Sequence, residues 1–311
     1  MGPAPQAVSR QVRYSRDLDD WNASVDAAFP GSCIDAQRQE FVAHLNHYRI
    51  GSLGFRHIAG IRSHYARQDA RQAARPANAL ATILEHGRCQ HSQSGRVVEL
   101  APGDMAVTDP DRHHWLDFSG HYRLFVVDVP VANLLERRPD YTLHRQGGAS
   151  LNPRQGRILC TLLQSLVRDY ELLSRDSDWA LSVERSVTDL LTTAVAGPAQ
   201  DGAAGPSVRL RSAVIADVRT HLFDEQLSST VIAARLGVSR RSVQLAFEAV
   251  GTTASRYILD RRLAHAAEML RARPDASITD VAFDCGFSSS SYFSRAFAAR
   301  YGASPRAWRG H

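Results

Sequence analysis

The stretch "VAFDCGFSSSSYFSRAF", Val281 to Phe297, carries four consecutive serines, Ser288 to Ser291. Serine runs are usual in flexible linkers. This one lies between a Gly-Phe pair and the pair Phe293 and Phe297, four residues apart, the spacing of one face of an ordered helix. The stretch also has a counterpart, "VIAARLGVSRRSVQLAF", Val231 to Phe247. At an offset of 49, Ile232-Ala233 corresponds to Val281-Ala282, Gly237 to Gly286, Val238 to Phe287 and Ser239 to Ser288. One extra residue in the second copy's turn makes the offset 50, and Val243, Leu245 and Phe247 then match Phe293, Arg295 and Phe297.

Each copy reads as helix, glycine turn, helix, the helix-turn-helix pattern. Ala233 and Ala282 are small enough for close helix approach, and Gly237 and Gly286 suit the left-handed residue that ends the first helix. Ser239 suits the cap of the next helix. With Val243, Phe247, Phe293 and Phe297 turned inward, the polar face holds Ser239, Arg240, Arg241, Ser242 and Gln244 in copy one. In copy two it holds Ser289, Ser290, Ser291 and Arg295. Such a second helix enters the major groove with its N-terminal residues at base edges. A long helix over Thr252 to Ala272 joins the copies, which suits two reading heads on successive major grooves roughly 34 Å apart.

Charge supports this placement. From Val208 to His311 there are 15 Arg against 9 Asp plus Glu, a balance of +6, which leaves −1 for the rest of a chain of net charge +5. The basic excess therefore lies in the last third and points to a polyanion there. All 37 basic residues are Arg, whose forked donors match phosphate and guanine.

These residues carry a family resemblance. "IAARLGVSRRSVQLAF", "YILDRRLAHAAEML" and "VAFDCGFSSSSYFSRAFAARYGASPRAWR" resemble the DNA-binding domain of AraC/XylS-type transcription regulators. The last holds the signature Gly-Phe, Ser-Tyr-Phe, Arg-x-Phe and closing Gly-x-x-Pro. "QSGRVVELAPGDMAVTDPDRHHWLDF", Gln93 to Phe118, is similar to the cupin-like effector-binding domain of a subset of that family. The resemblance implies a regulator of transcription, more often an activator, acting through RNA polymerase. Leu245 departs from the family pattern, which often places Arg there; Leu cannot make a bidentate guanine contact.

The rest of the chain fits that division. Residues 1–16 read as a disordered tail, and "DLDDWNASVDAAF", Asp17 to Phe29, as a short amphipathic helix. From about 50 to 130, short apolar or alternating runs cut by Gly, Pro, Asp and Asn predict a β-sandwich or small barrel. Two amphipathic helices follow, Pro153 to Leu173, with Asn152 as a cap, and Asp178 to Ala196. They would pack on the β part or form a subunit interface. "GPAQDGAAGPS", Gly197 to Ser207, reads as the linker. The expectation is thus a multi-domain α+β protein. Residues 17–196 form a cupin-like barrel or sandwich with flanking helices, for effector binding and dimerisation. Residues 208–311 form an all-α domain with two helix-turn-helix motifs.

Candidate effector-binding residues are His57, Tyr65, Arg67, His86, His113 and Trp115, polar or aromatic residues on expected strands, with Arg67 suited to a carboxylate. The same region is rich in His, but no His-x-His with a closely spaced Glu occurs; His91, His113 and Glu99 would have to converge through folding. Cys33, Cys89, Cys160 and Cys285 are scattered without a CxxC pair, and neither a P-loop nor a Ser/His/Asp set appears. No apolar run is long enough to span a bilayer, and the N-terminus lacks a secretory apolar segment. The reading is a cytoplasmic, non-enzymatic homodimer without metal or cofactor, whose partners are double-stranded DNA, a small organic effector and RNA polymerase. The rivals are a cupin-type metal enzyme fused to a DNA-targeting module and a ligand-independent architectural DNA binder.

Overall fold

The computed structural model describes residues 8–51, 53–67, 78–141, 153–173, 177–196 and 205–309. They separate into two compact units, one from 8–130 with 153–196, the other from 131–141 with 205–309. No helix among the described residues is long and apolar enough to cross a membrane.

The first unit contains β1 (Val8–Ser15), α1 (Leu18–Ala28), β2 (Ser32–Ala36), β3 (Ala43–Ile50), β4 (Leu53–Gly60), β5 (Ser63–Arg67) and β6 (Asn78–His86). It continues with β7 (Cys89–Gln93), β8 (Arg96–Leu100), β9 (Met105–Thr108), β10 (His114–Phe118) and β11 (Tyr122–Pro130). All pairings are antiparallel, in a six-stranded sheet of order β1-β3-β4-β11-β6-β9 and a five-stranded sheet of order β2-β5-β10-β7-β8. Strand side chains alternate between faces. The inner faces meet in a core that includes Ile34, Leu45, Leu80, Leu100, Leu116, Phe118, Leu124 and Val126. Helix α1 adds Trp21 and Val25, and its N-cap Asp17 accepts hydrogen bonds from the amides of Asp19 and Asp20, 2.9 Å each.

Strands begin far earlier than the sequence indicates. Residues 8–15, expected in a disordered tail, pair along β3 from Val8 opposite Ile50 to Ser15 opposite Ala43. Residues 10–14 are all exposed, so this edge strand is held mainly by its backbone pairing; its alternation is weak, with Arg10 between Val8 and Val12 on the apolar side. Residues 1–7 lie outside the described residues. Strand β6, by contrast, is buried on both faces from Ala79 to Leu84. Its outer face lies under the helices of this unit, α3 (Pro153–Arg168), α4 (Tyr170–Leu173) and α5 (Ser177–Ala196), through α3. These helices turn Leu159, Leu163, Leu166, Val187 and Leu191 inward. Asn152, the expected cap, is outside the described residues.

The second unit holds α2 (Val131–Arg137), α6 (Pro206–His221), α7 (Ser229–Arg235), α8 (Arg240–Glu248), α9 (Ala254–Ala272), α10 (Ile278–Asp284), α11 (Ser290–Tyr301) and α12 (Pro305–Arg309). Two boundaries differ from expectation. Pro206 and Ser207, read as linker, form the first turn of α6, with Pro at a position where its missing N–H costs nothing; residues 197–204 are outside the described residues. Residues 131–141, expected with the β part, pack with the helices instead. Tyr257 Oη on α9 donates to Glu136 at 2.8 Å, and Arg219 and Arg261 lie 3.3 and 3.4 Å from the same carboxylate. Arg211 on α6 is fully buried and donates to the carbonyls of Pro139, Ala246 and Tyr141 at 2.6, 2.8 and 3.1 Å.

Candidate nucleic-acid interface and effector cavity

Helices α7 and α8 form one helix-turn-helix, and α10 and α11 the other. Ser228 and Ser277 cap the first helix of each, accepting from Val231 N and Asp280 N. Gly237 and Gly286 follow with φ of 66° and 80°, the left-handed turn that glycine adopts without strain. Ser239 then caps α8 through Ser242 N at 3.0 Å, and Ser289 caps α11 through Tyr292 N at 3.2 Å. The structural counterpart of Ser239 is therefore Ser289, not Ser288, because the extra residue of the second turn comes before the cap. The four serines are turn, cap and first helical turn.

Buried Val243, Ala246 and Phe247 hold α8, and Phe293, Phe297 and Tyr301 hold α11. Each fully buried Phe contributes about 2–3 kcal/mol of burial free energy. This anchoring leaves Arg240, Arg241, Gln244 and Leu245 exposed on α8, and Ser291 and Arg295 exposed on α11, with Ser290 half-buried. Arg240, Arg241 and Arg295 make no ion pair among the described residues. Ser239 and Ser242 hydroxyls are 2.8 Å apart, and Gln244 donates to Glu248 at 2.6 Å, so three of the expected reading side chains have local partners. Not every arginine of this basic segment faces outward: Arg211 and Arg262 are buried and bonded to backbone carbonyls.

The connector α9 has 19 residues, a rod of roughly 28 Å. Arg262 at its middle donates to the carbonyls of Leu222 at 2.9 Å and Asp224 at 2.6 Å, holding the loop after α6 against it. The two motifs thus share a rigid support, which is what fixed spacing between two reading heads requires.

In the first unit a cavity of about 60 Å³ lies within the β core, bordered by Trp21, Phe29, Leu45, Leu116, Phe118 and Leu124 among its apolar residues. Tyr65, Thr82, Thr108 and His114 are its polar border. Of the six expected effector-binding residues, Tyr65 alone borders this cavity; Arg67 lies on the same face of the sheet, beside the bordering His114 but outside the lining. Tyr65 hydrogen-bonds Ser32 at 2.8 Å, and burial raises its phenol pKa. Arg67 is buried, one pleat along from Tyr65 and opposite His114 in register.

The other four lie elsewhere. His57 is on the outer face of the six-stranded sheet, stacked on Phe125 at 4.5 Å, with Nε2 2.6 Å from Glu85. Glu85 also accepts from Gln164 of α3 at 3.0 Å, so His57 helps fasten that helix. His86 is exposed at the end of β6, His113 is exposed before β10, and Trp115 faces outward 5.7 Å from His64. In "HHWLDF" the inward residues are His114, Leu116 and Phe118. Choosing His113 and Trp115 selects the opposite side, because a one-residue step in a strand reverses the face. The apolar pair Leu116 and Phe118 is the signal that identifies His114 as inward.

His91 is a second inward histidine, fully buried, with Nε2 2.9 Å from Thr108 Oγ1 and its ring 6.5 Å from that of His114. Burial pulls the His91 pKa down to about 4 and that of His114 to about 3, so both are neutral near pH 7. His91, His113 and Glu99 do not converge: Glu99 is exposed beside Arg88 at 3.1 Å. Among the described residues no three His, Cys, Asp or Glu groups gather as a metal-binding set.

Comparison with known proteins agrees with this architecture. Residues 232–311 match the helix-turn-helix domain family, and residues 21–195 the AraC-binding-like domain family. The chain is 27% identical over 234 residues to the transcriptional activator NphR of a Rhodococcus species, covering 74% of this chain and 69% of that one. It is 29% identical over 239 residues to the HTH-type transcriptional activator RhaS of Escherichia fergusonii, covering 72% of this chain and 82% of that one. The solved structure of the AraC-like transcriptional activator CuxR superposes with a TM-score of 0.57 at 18% identity, over 89% of this chain and all of that one, and so shares the fold. With the AraC-binding-like match spanning more than half its length and the paired helix-turn-helix motifs after it, the chain belongs to the AraC family of DNA-binding transcription regulators.

Proposed function

We propose that the chain is an effector-dependent transcription activator, a homodimer in the cytoplasm that recruits RNA polymerase. The carrying observation is the pairing of two capped reading helices on one connector with a β domain that encloses a cavity. Arg240, Arg241, Ser242, Gln244, Ser290, Ser291 and Arg295 are the DNA-reading set, with Ser239 and Ser289 positioning the helices. The curated relatives named above are transcriptional activators, which favours activation. Dimerisation is supported by Ile158, Leu172 and Leu190, apolar and exposed on the same helices that cover the β sheet. Packing and dimerisation are then two faces of one helical layer.

The covalent path from cavity to DNA-binding unit is short. Leu124 and Val126 of β11 border the cavity, and β11 runs at Pro130 directly into α2, whose Glu136 binds α6 and α9 side chains. An effector that favours one state of β11 would thereby bias the DNA-binding unit.

The test is selection of bound fragments from random duplex DNA, followed by footprinting and in vitro transcription with purified RNA polymerase. Protection of two adjacent major-groove segments, with transcription raised at the selected site, is the expected result. Enrichment of no sequence, or protection of a single segment, overturns the two-headed reading.

A further inference from the structure

The second unit's buried arginines show what this fold does with a guanidinium out of water. Arg211 has three carbonyl acceptors and Arg262 has two. Arg67 in the β domain is 4% exposed, and its Nε is buried without a hydrogen-bond partner. No ion pair or hydrogen bond to Arg67 exists among the described residues. Arginine cannot relieve that situation by losing its proton. Its Nε lacks an acceptor and only the terminal nitrogens keep contact with solvent, so the guanidinium favours a bound acceptor, and an anion supplies both acceptor and countercharge.

Strand register shows where such an anion would lie. Across the inner face of the five-stranded sheet, one row reads Ser32, Arg67, His114, Gln93. The next reads Ile34, Tyr65, Leu116, His91, and the third Ala36, Ser63, Phe118, Cys89. The face is therefore polar at one end and apolar at the other, over two pleat steps of about 7 Å each. Gln93 is already committed, exchanging two hydrogen bonds of 2.8 Å with the Asp109 backbone. His114 Nδ1 is committed to the Arg112 carbonyl at 2.9 Å. His91 Nδ1 is buried without a partner, so it adds a second donor when Nε2 accepts from Thr108. No Asp or Glu lies on any of these rows.

We propose that the effector is a small monocarboxylic acid, its compact apolar body in the cavity among Leu116, Phe118 and Leu124 and its carboxylate at the Tyr65 and His114 border, reaching the Arg67 that pairs with His114 in register. This rests on the reading of the cavity as the effector site. The size limit follows from the cavity, about 60 Å³, well above the space of one water but below the roughly 150 Å³ of an apolar cavity that binds benzene. The charge requirement follows from Arg67, and specificity against neutral analogues from the same group. A neutral amide can accept through its carbonyl, as backbone carbonyls do for Arg211 and Arg262, but leaves the charge of the guanidinium uncompensated.

The experiment uses the full chain and two matched sets of probes, the acids propionate, isobutyrate and isovalerate, and their primary amides. Binding is read by calorimetry and thermal shift. At least one acid is expected to bind with a Kd at least tenfold below that of its amide. Arg67→Met is expected to abolish that preference while leaving the ligand-free melting temperature equal or higher, because it removes an uncompensated buried charge at similar volume. The raised or unchanged melting temperature confirms folding and separates this role from a structural one. Equal binding of acid and amide, or an acid preference that survives in Arg67→Met, overturns the carboxylate assignment. A cavity-filling variant, Val126→Phe, distinguishes the two readings. If amides bind and Val126→Phe removes their binding, the effector cavity stands and only the carboxylate assignment fails. If neither set binds the wild-type chain, both fail.

Discussion

Gly286 lies directly against Arg262: a Cβ built on Gly286 would fall 3.1 Å from Arg262 Cζ and 3.0 Å from the Phe223 backbone. The turn of the second motif is thus seated on the arginine that binds the Leu222 and Asp224 carbonyls in the loop leading into the first. With φ at 80°, Gly286→Ala meets both a strained backbone and a crowded neighbour. The expected cost is about 1–3 kcal/mol, read in denaturant unfolding. Affinity for a duplex carrying both half-sites should fall more than affinity for either half alone. Gly237 has the same backbone conformation but open space around its Cβ position, so Gly237→Ala should cost only the conformational part, about 1 kcal/mol.

Arg211 belongs to the basic excess of the last third but faces no solvent. Arg211→Met leaves three carbonyls, those of Pro139, Tyr141 and Ala246, without a donor. Hydrogen bonds from a charged donor are worth about 1.5–3 kcal/mol each, so a loss of several kcal/mol of stability is expected. The salt dependence of DNA binding should stay unchanged, because no phosphate contact is removed. A shallower salt slope in Arg211→Met would place this residue at the interface instead.

The DNA-binding unit was readable because its signals are local. Gly237, Gly286 and the serine caps each act within a few residues, and two copies check one another. The cavity residues were harder to identify because a strand's face depends on pairing partners distant in sequence. His113 and His114 are neighbours with opposite environments, and only Leu116 and Phe118 tell them apart. Segment 131–141 gives no sign in the sequence of its place because it follows β11 without a break, while its partners Arg211, Arg219 and Tyr257 lie far along the chain. Edge strand β1 alternates only weakly, because Arg10 breaks the series Val8, Val12 and Tyr14 and residues 10–14 stay exposed.

Acid should destabilise the β domain through its histidines. Burial, the largest cause in each case, lowers the pKa of His47 to about 4, His91 to about 4 and His114 to about 3. Each unfolded imidazole binds its proton near pH 6.5, so between that value and the folded pKa the unfolded chain holds more protons. Stability from these groups is complete above about pH 6.5 and is lost as the pH falls towards 4 and then 3. The expected slope is up to about 1.4 kcal/mol per pH unit for each histidine. His91→Gln should flatten the fall in melting temperature between pH 6.5 and 5; an unchanged slope would show that His91 titrates normally.

The helical layer over the six-stranded sheet should govern oligomeric state. Ile158 and Leu190 are 62% and 47% exposed on helices whose opposite faces are buried. Replacing both with Glu leaves the buried face intact, so the fold is expected to persist with an unchanged circular dichroism spectrum. Sedimentation should report a dimer for the wild-type chain and a monomer for the double variant. A dimer in the double variant would move the interface off this layer.

The two reading helices differ most at Leu245 and Arg295, which occupy matched positions and are both exposed. Arg295 has five donors and no ion pair among the described residues, and suits the O6 and N7 acceptors of guanine. Leu245 has none, and at most touches a thymine methyl. Specificity should therefore be steeper in the half-site read by α11. Arg295→Ala is expected to weaken binding by about 1–3 kcal/mol and to relax preference at one base position. Leu245→Ala should change affinity little, and Arg241→Ala should alter preference in the other half-site, where Arg240 and Arg241 carry the free donors. Binding to a library randomised one position at a time resolves these outcomes. Retained preference in Arg295→Ala, with loss in Leu245→Ala, would reverse the assignment of the two heads. Leu245→Arg offers the converse test, because it restores the donor set that α11 already has and should create a new guanine preference in the first half-site.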